Sequence, residues 1–167
     1  MPTSSRSYNM SRIRSKDTKP ELIVRKYLWS RGYRYRKNDK RLPGTPDIVL
    51  KKYATVIFIH GCFWHGHDHI RFPKTNADFW RKKIERNRQR DEEDKQKLKD
   101  MGWSVMTVWE CQLKKDKREH TLREIEYLLN RNFLERLEMV TKPVKRYESA
   151  PEYHDMAAET EPDYDTK

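Results

Sequence analysis

Short apolar runs separated by long charged stretches divide the chain into seven predicted elements. Thr18-Lys19-Pro20-Glu21 opens the first, a helix: a capping Thr stands three residues before a Glu, and Pro occupies the first turn, where free amides need partners. Leu22, Ile23, Tyr27 and Leu28 supply its apolar face, and Gly32 closes it. Strands at 33–37 and 47–50 flank the turn-rich stretch Leu42-Pro43-Gly44-Thr45-Pro46. A third strand, 55–59, is a short β-branched run of the kind buried on both faces, and it stops at His60-Gly61. Residues 76–101 read as a long helix rich in Arg and Lys, stopped by Gly102. A fourth strand at 103–109 and a final helix at 121–139 complete the series. Helix, three strands, helix, strand, helix predicts an α/β layer around a mixed central sheet.

Composition adds a partner to this outline. The 167 residues suit one domain, and 38% of them are charged. Residues 1–146 hold 36 basic and 19 acidic side chains, whereas 147–167 hold 1 and 7. A body this basic points to a polyanion, since neutralised phosphates release counterions; a merely soluble basic surface is the plainer alternative. We expect a mobile basic arm over 1–16, a folded domain over 17–140, and an acidic, disordered tail over 141–167. No apolar run approaches the length of a spanning helix, and the start lacks a secretory signal. Two cysteines make no disulfide framework, so a cytoplasmic protein without membrane contact is expected.

The chemistry is concentrated in Phe58-Ile59-His60-Gly61-Cys62-Phe63-Trp64-His65-Gly66-His67-Asp68-His69, which holds four of the six histidines. Cys62, His67 and His69 have the softness and spacing of zinc ligands, and Cys111 at the end of the next strand can close a tetrahedron. Buried free thiols and solvated histidines are the alternative. Asp47, following Pro46 at a strand start, is either an ordinary turn carboxylate or a Mg²⁺ ligand acting with a nearby main-chain carbonyl. On the long helix, eleven residues make roughly three turns, so Trp80 and Asp91 share a face with Ile84 and Asn87 between them. Asp91 can then orient a histidine of the loop. Arg81, Lys82, Lys83, Arg86, Arg88 and Arg90 are placed to meet phosphates, if they are not simply a solvated face.

These residues resemble the very short patch repair (Vsr) family of DNA mismatch endonucleases. The anchors are Leu42-Pro43-Gly44-Thr45-Pro46-Asp47, the run from Val56 to His65, Phe79-Trp80, Arg90-Asp91, Met101-Gly102-Trp103 and Val108-Trp109-Glu110-Cys111. The resemblance implies a restriction-endonuclease-like fold of the PD-(D/E)xK type with a structural zinc site. It also implies Mg²⁺-dependent nicking of double-stranded DNA beside a thymine mispaired with guanine, the product of deaminated 5-methylcytosine. By the same resemblance Asp47 holds Mg²⁺ with the Ile59 carbonyl, and His65 transfers protons. His60 and Asp91 support His65, and Glu21 approaches the hydrated metal. Phe63, Trp64 and Trp80 correspond to an aromatic wedge on the major-groove side, and Met10 to an insertion from the minor groove. A monomer in the bacterial nucleoid, working beside mismatch-repair proteins, is the implied setting.

The sequence departs from that pattern in places. His69 stands where a third zinc cysteine is common, and Phe58 and His60 stand where restriction enzymes carry Glu-x-Lys. The acidic tail has no counterpart. Two alternatives are therefore kept: a nickase of the same fold serving restriction or phage defence without mismatch selection, and a zinc-stabilised DNA-binding protein without catalysis.

Overall fold

The computed structural model describes residues 16–68, 71–72 and 76–140. Met10, His69 and the acidic tail lie outside the described residues. Helix α1 (Lys19–Ser30) is followed by strands β1 (Arg36–Lys37), β2 (Ile48–Leu50) and β3 (Thr55–His60). Helix α2 (Ala77–Asp100), strand β4 (Ser104–Trp109) and helix α3 (Arg118–Val140) complete the domain. The element order is the one the apolar pattern predicts. The boundaries move: β1 keeps only two residues, and Tyr33, expected in it, is buried ahead of the strand. The last helix starts at Arg118, earlier than its apolar face suggests.

The sheet runs β1-β2-β3-β4, antiparallel across the first two pairings and parallel across the last. Strand alternation divides its side chains between two layers. Ile48, Leu50 and Ile57 face α1 and α3, packing with Val24, Leu28, Leu122, Ile125 and Leu129. Val49, Val56 and Phe58 face the other way, against Leu98 of α2. The buried stripe of α1 includes Val24 and Leu28. Leu22, expected on that stripe, is 41% exposed, because the helix turns Glu21 and Arg25 inward instead.

One consequence of the parallel pairing governs the site. His60 is paired with Trp109, so β3 and β4 end side by side and both release their next segments at the same edge. The histidine loop leaves from β3, and a short 3-10 turn, Glu110–Leu113, leaves from β4. Crevices at the carboxyl ends of such strands are where α/β proteins bind ligands. Among the described residues, no helix is long and apolar enough to cross a membrane.

Candidate active site and metal centre

Asp47 precedes β2, whose antiparallel register with β3 carries its carboxylate across to the neighbouring strand: the Ile59 amide donates to Asp47 Oδ2 at 2.7 Å. Burial raises the Asp47 carboxyl to about 6. The Ile59 hydrogen bond opposes this, the Glu21 charge reinforces it, and Arg25 and His65 pull it back down. Glu21, predicted to help open α1, does so. Its carboxylate accepts the amides of Asp17 and Thr18 and the Thr18 hydroxyl, and it is buried beside Arg25.

The histidines form the facing corner. His60 is buried at the end of β3, and its ring stacks on His65 with centroids 3.8 Å apart and planes 10° from parallel. Burial, reinforced by the His65 charge, lowers the His60 imidazole to about 3, which keeps it neutral. His65 Nδ1 lies 2.5 Å from Oδ2 of Asp91, a residue near the middle of α2. Burial works against the Asp91 charge, but the His65 hydrogen bond and charge outweigh it and hold the carboxyl below its ordinary value. Asn87, one turn before Asp91, donates to the Trp64 carbonyl at 2.8 Å and so secures the peptide that leads into His65. Gly66 lets the loop lie this close to α2: at φ +69°, a Cβ there would fall 2.7 Å from Ile84. Glu21, Asp47, Ile59, His60, His65 and Asp91 all line one cavity of about 1030 Å³, whose lining also includes the cations Lys16, Lys40, Arg90 and Lys95.

A second cluster lies just beyond. The ligand atoms of Cys62, His67 and Cys111 all fall within 4.8 Å of one another, and Cys111 Sγ is 3.5 Å from His67 Nδ1. Tetrahedral zinc with thiolate and imidazole ligands separates adjacent donor atoms by about 3.5–3.8 Å, so the donor set fits that ion in chemistry and in spacing. His67 stacks on Trp109 at 4.2 Å, which anchors its ring to β4. Burial pushes the Cys62 thiol up; a hydrogen bond with the Cys111 main chain opposes this, and the Cys111 side chain and Glu110 add to it. The structure thus brings together three of the four residues predicted to hold zinc.

Phe63, Trp64 and Trp80 pack edge to face, with centroids 5.2 to 5.9 Å apart, and the 57%-exposed Phe79 leans on Trp80. The Lys83 ammonium lies over three of these rings. The rings assigned to the wedge therefore supply apolar surface to one another. Arg81, Lys82 and Arg86 are exposed along α2, as is Arg90, which approaches Asp91 at 3.7 Å. Sequence reasoning missed Arg25, which is buried among the acidic groups of the site. Its signal was present: Glu21 and Arg25 stand four apart in a helix, the spacing that brings a carboxylate and a cation together.

A mixed-sheet α/β domain that gathers a carboxylate and a histidine–aspartate pair in one cavity lined also by cations fits one class, a nuclease of restriction-endonuclease-like architecture. Comparison with known proteins narrows it. Residues 2–71 match the family described as DNA mismatch endonuclease Vsr. The chain is 57% identical over 116 residues to the type II nicking enzyme V.NmeAIP of Neisseria meningitidis, covering 67% of this chain and 81% of that protein. It is 50% identical over 110 residues to the type II nicking enzyme V.XorIIP of Xanthomonas oryzae, covering 65% and 81%. With the DNA mismatch endonuclease Vsr of Escherichia coli it shares 44% identity over 112 residues, covering 66% and 72%. The chain belongs to the Vsr family, and it is a DNA nicking endonuclease.

Proposed function

We propose that this endonuclease nicks double-stranded DNA beside T:G mispairs in a Mg²⁺-dependent reaction, with one zinc ion holding its histidine loop. The observation that carries the reading is the convergence on one cavity of the Asp47 carboxylate, the Ile59 main chain and the His65–Asp91 pair. Asp47 and the Ile59 carbonyl are the donors we assign to Mg²⁺; Asp47 is a buried carboxylate whose charge burial disfavours, and a cation relieves that cost. When bound, the ion supplies positive charge to the scissile phosphate and to the leaving oxygen.

The protein's own groups do the rest. Asp91 accepts from Nδ1 of His65 and fixes its tautomer, leaving Nε2 to take a proton from the attacking water. Neutral His60 supports the His65 ring from one face without adding a competing charge. Arg81, Lys82, Arg86 and Arg90 contact phosphates. Phe63, Trp64 and Trp80 form a wedge that enters the base stack where a mispair has already weakened it, and Met10 is assigned to the opposite groove. Cys62, His67, His69 and Cys111 hold the zinc.

The test is a nicking assay on matched, T:G and other mismatched duplexes, with Mg²⁺ present and after chelation. Nicking confined to T:G duplexes in the presence of Mg²⁺ is expected. Equal nicking of matched and T:G duplexes would replace mismatch repair with the reading suggested by the relatives named as type II nicking enzymes.

A further inference from the structure

Arg25 lies one turn after Glu21 on α1 and is only 4% exposed. A guanidinium does not shed its proton, so its burial requires partners. It finds them on three segments. Nη1 donates to Asp17 at 2.5 Å and Nη2 to Glu21 at 2.8 Å, while Nη2 also reaches the main-chain oxygen of Asp47 at 3.3 Å and the Asn38 side chain at 3.5 Å. Among the described residues, Nε is buried with no hydrogen-bond partner. The side chain is therefore held where its terminal nitrogens reach the acids and the strand, at the expense of its remaining donor.

The carboxylates of Glu21 and Asp47 are treated differently. Glu21 is saturated, accepting from Asp17, Thr18 and Arg25. The Asp47 carboxylate accepts the Ile59 amide, and among the described residues it forms no ion pair within 4.0 Å. Arg25 thus forms its ion pairs with Asp17 and Glu21 and hydrogen-bonds Asp47 through the main-chain oxygen, so that it acts on the Asp47 carboxylate only through its charge and without a hydrogen bond.

We propose that Arg25 is a positioning residue of the Mg²⁺ site, a buried clamp that ties Glu21 to the Asp47 main chain and leaves the Asp47 carboxylate free to take the metal. The inference rests on the assignment of Asp47 as a Mg²⁺ ligand. Glu21 then acts through Arg25 and not as a ligand itself.

Arg25→Lys in the full-length protein keeps the charge but loses the planar fork that reaches three segments at once. Mn²⁺ binding, titrated by electron paramagnetic resonance, is expected to weaken about tenfold, as it does when outer partners of metal ligands are removed. The Mg²⁺ concentration giving half-maximal nicking should shift by the same factor, with the plateau rate recovered at high Mg²⁺ and DNA affinity in chelator unchanged. A folded R25K with wild-type Mn²⁺ affinity overturns the proposal. If R25K loses its cooperative melt, E21Q/R25M serves instead, because it removes the buried pair together and leaves the net charge unchanged; wild-type Mn²⁺ affinity there is equally fatal. Asp47→Asn separates the two levels. Mn²⁺ binding that survives in D47N removes the underlying assignment, whereas loss in D47N beside wild-type affinity in R25K removes only the role of Arg25.

Discussion

His65 Nδ1 and Asp91 Oδ2 stand 2.5 Å apart, joining the loop after β3 to the middle of α2. This contact decides which nitrogen of His65 is available. With Nδ1 engaged by a carboxylate held below its ordinary value, Nε2 is the atom left to exchange a proton with solvent. The stacked His60 ring limits how far the imidazole can tilt.

Asp91→Asn keeps the shape of this contact but offers the ring an amide in place of a charge. Nicking is expected to fall by about 10²–10⁴ with little change in melting temperature, and His65→Ala should fall at least as far. Zinc content should be unchanged in both, since neither residue is in the proposed zinc set. A near-wild-type rate in H65A removes His65 from the proton-transfer role, and one in D91N removes Asp91 as its orienting partner.

Asp47→Asn should stabilise the metal-free protein while stopping nicking. The folded-state carboxyl is raised to about 6 from an ordinary value of 3.8. Folding therefore favours the protonated form, and that contribution is complete below the ordinary value and lost as pH rises through about 6. Above pH 7 the ionised side chain costs roughly 2–3 kcal/mol, which the amide avoids. Thermal melts in chelator at pH 7.5 should place D47N above wild type, with the gap closing by pH 3.5. A gap of the same size at both pH values contradicts the buried-charge account. Added Mg²⁺ should raise the melting temperature of wild type and not of D47N.

Removing zinc should destabilise the fold and disturb the catalytic loop with it. His65 lies between Cys62 and His67 in sequence, so the proposed zinc site flanks the proton-transfer residue. A strong chelator should lower the melting temperature, and elemental analysis should find about one equivalent of zinc per folded chain. Cys111→Ser is the sharper variant, because it removes the ligand that arrives from β4. Purified, folded wild type with less than about a tenth of an equivalent would rule the site out.

Phe63→Ala with Trp64→Ala distinguishes the wedge from a core role. Both rings are half-buried, packed on each other and on Trp80. T:G nicking is expected to drop by at least about tenfold relative to matched-duplex affinity, since each unstacked step costs a few kcal/mol that the rings no longer offset. Unfolding of the double variant, or an unchanged ratio of T:G to matched nicking, sinks the wedge.

The order of elements, the sheet class and the family anchors were legible in the linear sequence because they depend on local spacing: the β-branched run of β3, the capping Thr18 and Glu21, and the histidine-rich loop. The face shared by Trp80 and Asp91 followed from helical periodicity alone, and Asp91 does reach a loop histidine. Tertiary structure decided what depends on register. Parallel pairing of His60 with Trp109 sets the Cys111 turn beside the Cys62–His67 loop, and antiparallel pairing of β2 with β3 brings Asp47 to the Ile59 amide. The family resemblance already paired His65 with Asp91 and His60; that His60 supports the ring by stacking on it, and where Arg25 places its charge, are outcomes of packing. Local preferences specify which segment is helix or strand, whereas contacts between segments far apart in sequence depend on how the sheet aligns them, and no spacing rule carries that alignment.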